Sequence, residues 1–232
     1  TVTGTKTAAV AGDVTFTGNL GSSFTTTIAS GATMTAAVDK VAGQAIDGAG
    51  SLAITGDATD SANLTSIDIT GTLSFDSNSI AITAAKTLTL DAVQAALITS
   101  GISGDGNLTI TDDTGSAAQT IVSTVSATGV KTIDTGNGDD IINLGVAANV
   151  DADDSITGGG GTSDNLKLTA DSNSTGAVLD DLSGVETVTL LADTTKTAKV
   201  TVTYTTSNTD ALAVTGAALT GGTASFTLDA TD

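Results

Sequence analysis

Apolar and hydroxyl-bearing residues alternate along almost the whole chain. The pattern runs through Val14-Thr15-Phe16-Thr17, Leu52-Ala53-Ile54-Thr55, Ile67-Asp68-Ile69-Thr70, Leu88-Thr89-Leu90, Leu108-Thr109-Ile110-Thr111, Val188-Thr189-Leu190 and Val200-Thr201-Val202-Thr203-Tyr204. A period of two puts successive side chains on opposite faces of an extended backbone, so each run predicts a short strand with one apolar and one hydroxyl face. Gly, Asn, Asp and Ser separate the runs, the spacing of a solenoid, a sandwich or a barrel. Two segments depart from the pattern. Thr35–Ala45 and Asp91–Ile98 each predict one or two helical turns inserted between coils, the second with Asp91 as its N-cap.

An internal repeat chooses among the three architectures. Ala45-Ile46-Asp47-Gly48-Ala49-Gly50-Ser51-Leu52-Ala53-Ile54-Thr55-Gly56 returns as Gly101-Ile102-Ser103-Gly104-Asp105-Gly106-Asn107-Leu108-Thr109-Ile110-Thr111-Asp112, and upstream of it Gly31–Val38 resembles Ala85–Val93. Repetition on this scale favours units that bury their apolar faces on their neighbours. Four Phe, one Tyr and no Trp suit a narrow interior filled by Val, Ile, Leu and Ala, whereas a sandwich core takes more aromatic bulk. The expected fold is all-β, a right-handed parallel β-solenoid of the β-helix or β-roll kind, with a sandwich-like arrangement left open for the C-terminal part. The expected segments are a repeat-bearing solenoid at 1–128, a middle set of coils at 129–170 and a C-terminal β segment at 171–232. The chain begins and ends in mid-pattern, as a piece of a longer polypeptide would.

Charge narrows the function classes. The chain of 232 residues has 26 acidic residues against 7 basic ones, a formal charge of -19. Such a surface repels nucleic acid and anionic membranes, which are bound through clustered Lys and Arg, and it favours multivalent cations. Glu186 is the only Glu, so nearly all the acid is Asp, whose short side chain suits turns. With no His and no Cys, the nucleophile systems that pair Ser or Cys with His are excluded, as are zinc sites, and no phosphate loop followed by Lys is present. Paired carboxylates remain for sugar cleavage, but Tyr204 and the four Phe offer few rings to stack on a sugar. No enzyme is expected. No run of about 18 apolar residues and no basic-then-apolar leader occurs, so neither a membrane span nor a signal peptide is expected in this stretch.

The most specific chemistry lies in two glycine turns that end in a carboxylate and lead into an apolar strand. They are Thr135-Gly136-Asn137-Gly138-Asp139-Asp140-Ile141-Ile142 and Gly158-Gly159-Gly160-Gly161-Thr162-Ser163-Asp164-Asn165-Leu166. Glycine permits backbone angles that aim successive carbonyl oxygens at one spot, and the Asp adds a carboxylate; two such turns on adjacent coils form an oxygen cage for a hard cation. Six or seven ligands, largely carbonyls, suit calcium better than magnesium. The candidate ligands are Gly136, Asn137, Gly138, Asp139, Asp140, Gly159, Gly161 and Asp164, with Asp151 and Asp153 from the acidic cluster between the turns. A tight corner without an ion is the plainer reading of either turn alone.

At these residues the chain resembles the calcium-binding β-roll of the RTX (repeats-in-toxin) family, which Gram-negative bacteria secrete in one step. Two departures stand out: Asp140 and Asp164 lie 24 residues apart, and the second turn carries one extra residue before its Asp. Downstream, Asn165-Leu166-Lys167-Leu168-Thr169 followed by Leu182-Ser183-Gly184-Val185-Glu186-Thr187-Val188 is similar to RTX-type bacterial surface-layer proteins. This resemblance implies a secreted structural protein that assembles with copies of itself on the cell surface, folds on meeting external calcium, and contacts cell-surface polysaccharide through another part of the chain. The alternatives are an extender or ligand-binding segment of a large adhesin and, from the Thr-x-Thr pairs, an ice-binding solenoid. Those pairs are irregularly spaced in sequence, and a flat ladder needs one pair per coil.

Overall fold

The computed structural model describes residues 6–18, 20, 24–112, 115–169, 177–179, 181–191, 199–204, 213–216 and 225–230, with the backbone alone at 177–178 and from 199 onward. Every strand pairing within these residues is parallel, and the strands stack into five sheets. The first contains Lys6–Val10, Phe24–Ile28, Ala45–Gly48 and Ile67–Ile69; the second contains Val14–Phe16, Thr33–Ala37, Ser51–Thr55 and Thr72–Phe75. The third runs through Ser79–Ile82, Gly101–Gly104, Thr120–Val125, Ile141–Val146, Asn165–Thr169, Thr187–Leu191 and Ala213–Gly216. The fourth runs through Ala62–Asn63, Thr87–Asp91, Asn107–Thr111, Lys131–Asp134, Ser155–Thr157 and Leu182–Ser183, and the fifth through Ala177–Leu179, Lys199–Tyr204 and Ser225–Ala230. This is a β-solenoid of about eight turns. The described strands of the C-terminal segment continue the parallel pairing. The third and fourth sheets also run through residue 128 without a break.

Register explains why alternation was the dominant signal. Equivalent residues of successive coils lie directly over one another, so every inward position becomes a column: Leu90, Ile110, Ile133 and Ile156 in the fourth sheet, and Ile121, Ile142, Leu166 and Val188 in the third. These side chains are buried in one continuous core, each worth roughly 1.5–3 kcal/mol of transfer free energy. Outward positions also form columns. Asn63, Thr89, Thr109, Thr132 and Ser155 stack in the fourth sheet. In the second sheet Thr33/Thr35 and Thr72/Ser74 present paired hydroxyls, but Ser51/Ala53 between them interrupts the pairing.

The chain first builds coils on the first two sheets and later builds them on the third and fourth. Two wide passes join the stacks. Residues 45–63 visit all four sheets in turn, reaching the third through the bridge of Ala58 to Ile82, and residues 67–91 do so again. The internal repeat therefore relates one stack to the other: Ala45–Gly48 and Ser51–Thr55 lie in sheets one and two, their counterparts Gly101–Gly104 and Asn107–Thr111 in sheets three and four.

Both expected helical turns form, as α1 (Val38–Val41) and α2 (Ala92–Ala96). The Asp91 side chain accepts the Gln94 amide at 2.7 Å while Gln94 accepts the Asp91 amide at 3.2 Å, a capping box. Each helix is inserted in one stack and covers an edge of the other. The Asp39 carboxylate of α1 accepts the Asp60 amide, and Gly43 behind it donates to the Asn63 carbonyl, on the first strand of the fourth sheet. Gln94 of α2 donates to the carbonyl of Leu64, in the turn before the last strand of the first sheet, and to that of Ile67, on that strand. Unpaired strand edges are thus partly satisfied where the stacks meet.

Gly104 marks where one coil's backbone crowds the last. Its φ is +106°, and a Cβ there would lie 2.2 Å from the Ile82 carbonyl oxygen. Gly104→Ala should therefore destabilise by about 2 kcal/mol or more, whereas Gly12→Ala, at a position with open space, should stay within about 0.5 kcal/mol. Urea unfolding followed by circular dichroism compares the two, and equal midpoints would contradict the close-approach account.

Candidate functional site

The two glycine turns occupy one corner of the solenoid, where the chain leaves the fourth sheet for the third. They stack position on position. Thr135 donates through its hydroxyl to the Gly158 carbonyl at 2.9 Å. Gly160 donates to the Gly136 carbonyl at 2.8 Å, Gly138 donates to the Gly160 carbonyl at 2.9 Å, and Asn137 bridges Gly160. Gly136 and Gly159 both have positive φ, at +81° and +91°. A Cβ at Gly159 would fall 1.9 Å from the Gly136 carbonyl oxygen, and one at Gly161 would fall 2.1 Å from that of Gly138. The glycines are required for this backbone-on-backbone approach. The extra residue of the second turn is absorbed at Thr162, whose amide donates to Asp139 Oδ1 at 2.9 Å.

Just inside the turns a ladder of side chains climbs the corner. Asp164 donates its amide to Glu186 Oε2 at 2.7 Å; Asp140 donates its amide to Asp164 Oδ1 at 2.6 Å; Gln119 donates its amide to Asp140 Oδ1 at 2.6 Å. The four positions precede strands that are in mutual register, which is why they stack. Asp140 and Asp164 are both 0% exposed. Asp164 Oδ2 is buried with no hydrogen-bond partner among the described residues, and it points toward the Cα of Gly161, where an added Cβ would lie 2.9 Å away. Burial, then the charges of Glu186, Asp140 and Asp139, push the Asp164 carboxyl up to about 6, while the hydrogen bond from the Asp140 amide pulls it down. Beside the turns lies a cleft of about 470 Å³ lined by Ser116, Asn137, Asp139, Gly161 and Thr162 among others.

The structure thus brings together Gly136, Asn137, Gly138, Asp139, Asp140, Gly159, Gly161 and Asp164. It leaves out Asp151 and Asp153, whose loop joins Ile141–Val146 to Ser155–Thr157 at the opposite corner of the coil. Their bonds are local: Asp153 donates its amide to Asp151, and Asp151 donates its amide to Asp154. As to a cation, the carbonyls of Gly136 and Gly160 already accept amides from the neighbouring turn, and no three carboxylates among the described residues converge as a metal cluster. The buried oxygen of Asp164, in the field of three further carboxylates, does fit a hard cation, with carbonyls or water filling the remaining positions.

Sequence reading missed a second buried charge, Lys131, at the corner opposite the ladder. It is 0% exposed and pairs with the buried Asp154 at 3.0 Å, while also donating to the carbonyls of Ser126 and Gly129. Asp154 in turn accepts the Lys131 amide at 2.7 Å. Burial raises the Asp154 carboxyl above its ordinary range, and the hydrogen bonds and charge of Lys131 oppose the rise. The signal was present: Lys131 falls in phase with the inward column of Leu88 and Leu108. Reading it required knowing that Asp154 sits in register beside it.

Two predictions follow from these buried charges. Lys131→Met should cost roughly 3–5 kcal/mol by stranding Asp154, and adding Asp154→Leu should recover most of the loss; urea midpoints that do not recover would count against the pairing. The second concerns pH. Folded Asp164 holds its proton up to about 6, well above the ordinary carboxylate value of about 3.9, so between these values the folded state binds more protons than the unfolded one. Stability in chelator should therefore fall as pH rises through that window and level off above it. Melting temperatures from pH 4 to 8 should trace this fall, and Asp164→Asn should flatten it. Comparison with family models, curated proteins and solved structures yields no match, so the reading of this corner rests on its own residues.

Proposed function

We propose that the chain is a structural segment of a secreted bacterial surface protein, a calcium-stapled solenoid of the RTX surface-layer kind that assembles with copies of itself. The observation that carries this reading is the ladder of Asp140, Asp164 and Glu186, with Asp139 beside it: stacked acids, one buried oxygen of which has no hydrogen-bond partner, against glycine turns that leave a cleft open to the outside. A cation at Asp164 Oδ2, drawing on Asp139 and Asp140 and on turn carbonyls, would neutralise the charges that stacking forces together. Binding to the folded state alone would then stabilise it by mass action.

The fold suits this role. Parallel coils in register form a rod-like unit of repeating cross-links, and the acidic, hydroxyl-rich exterior keeps the chain from nucleic acid and anionic surfaces. No helix among the described residues is long and apolar enough to cross a membrane. The interrupted hydroxyl pairing of the second sheet weighs against an ice-binding face. An adhesin extender would share the fold and the ion and differ in remaining monomeric.

The test is thermal unfolding by circular dichroism in chelator and then in millimolar calcium. Calcium should raise the melting temperature by several degrees, with Asp164→Ala losing most of the gain, and electron microscopy of the calcium-loaded protein should reveal sheets or filaments. A melting curve indifferent to calcium would refute the staple, and a monomer at high concentration would leave the extender in place of the lattice.

A further inference from the structure

We infer that Glu186 is a positioning residue that sets how tightly the Asp164 oxygen holds a divalent cation. The inference rests on the calcium reading above and extends it to a residue outside both glycine turns. Glu186 stands one coil beyond Asp164 on the ladder and accepts the Asp164 amide through Oε2 at 2.7 Å. That bond fixes the backbone from which the Asp164 carboxylate projects. Asp164 Oδ1 is then committed to the Asp140 amide at 2.6 Å, which leaves Oδ2 as the buried oxygen without a hydrogen-bond partner.

Hydrogen bonding alone does not require a charge at this rung. A neutral amide oxygen accepts an N–H as a carboxylate does, and the neutral Gln119 ends the ladder on the other side, donating its own amide to Asp140 while its side chain turns back to the Ala117 carbonyl. The one Glu of the chain sits instead beside the buried acid, where it adds to the repulsion on Asp164. Length matters as well. The corner between Ser183 and Thr187 is shorter than the corner between Thr157 and Asn165, so the longer Glu side chain spans to Asp164 where an Asp would have less reach. A carboxylate about one coil spacing, roughly 4.8 Å, from the cation seat destabilises the empty site and stabilises the filled one.

Glu186→Gln preserves the acceptor and removes the charge. Its melting temperature in chelator should stay close to the wild-type value or rise, while the calcium concentration at half-maximal stabilisation should increase roughly tenfold or more. The reverse change, Gln119→Glu, adds a charged rung beside Asp140, and should lower the melting temperature in chelator and lower the half-maximal calcium concentration. A residue with only a packing role would lower the melting temperature of Glu186→Gln in chelator and leave the calcium midpoint where it was. If wild type responds to calcium and neither variant moves the midpoint, the role of Glu186 is wrong while the staple stands. If wild type shows no response to calcium, the staple itself fails and Glu186 with it.

Discussion

In-register parallel stacking is the constraint on which this structure depends. It sets equivalent residues of successive coils about 4.8 Å apart, so whatever the sequence places at one position is repeated down a column. For Leu, Ile and Val this is an advantage, because a column of apolar side chains is a continuous core. For carboxylates it is a liability, because the same geometry brings like charges together. The fold is acceptable only where each acidic column meets something that offsets its charge or takes up its oxygens.

Two offsets are visible. At Lys131 and Asp154 the inward column of the fourth sheet exchanges apolar residues for an ion pair whose ammonium is surrounded by oxygen acceptors. At the glycine corner the carboxylates accept amides from neighbouring coils. Amides satisfy oxygens without cancelling charge. The same device recurs at Asp13, which accepts the Thr33 amide, and at Asp57, which accepts that of Ala81, yet in those places the acid is not stacked on another. The corner of Asp140, Asp164 and Glu186 is distinguished by stacking acid on acid.

How much of this was legible in the sequence follows from what is periodic and what is not. Alternation identified the strands, because period two is a local property, and the lack of aromatic bulk pointed to a narrow interior; Asp91 marked the start of α2 as its N-cap, and the structure adds Gln94 to complete a capping box. The alignment of the two glycine turns, including the extra residue at Thr162, matched their stacking because both turns occupy the same corner of adjacent coils. What failed to appear was everything set by register between distant residues. Asp151 and Asp153 looked near the turns by sequence, but a solenoid coil carries neighbours in sequence to opposite corners. Lys131 and Asp154 carry no local signal of their pairing, which only the register between their coils creates. The repeat around Ala45 and Gly101 pointed to stacked units, and the structure shows that it relates two stacks, because the chain passes twice through all four sheets between them.

Those two wide passes bear on how the molecule unfolds. In a simple solenoid each coil contacts only its neighbours, and stability is close to a sum of local terms. Here the segment 58–63 completes the edge of the second stack before the chain returns to finish the first, so neither stack can close its adjoining edge without the other. Helices α1 and α2 reinforce this by covering an edge of the stack opposite to the one that carries them. The acid ladder, by contrast, begins at Gln119, beyond the stitched coils, where the chain winds on the later sheets alone. A charge imbalance there loosens coils that share only nearest-neighbour contacts, while the stitched region resists as a unit. Sensitivity to cations and pH is thus concentrated in the part of the solenoid least able to borrow stability from elsewhere.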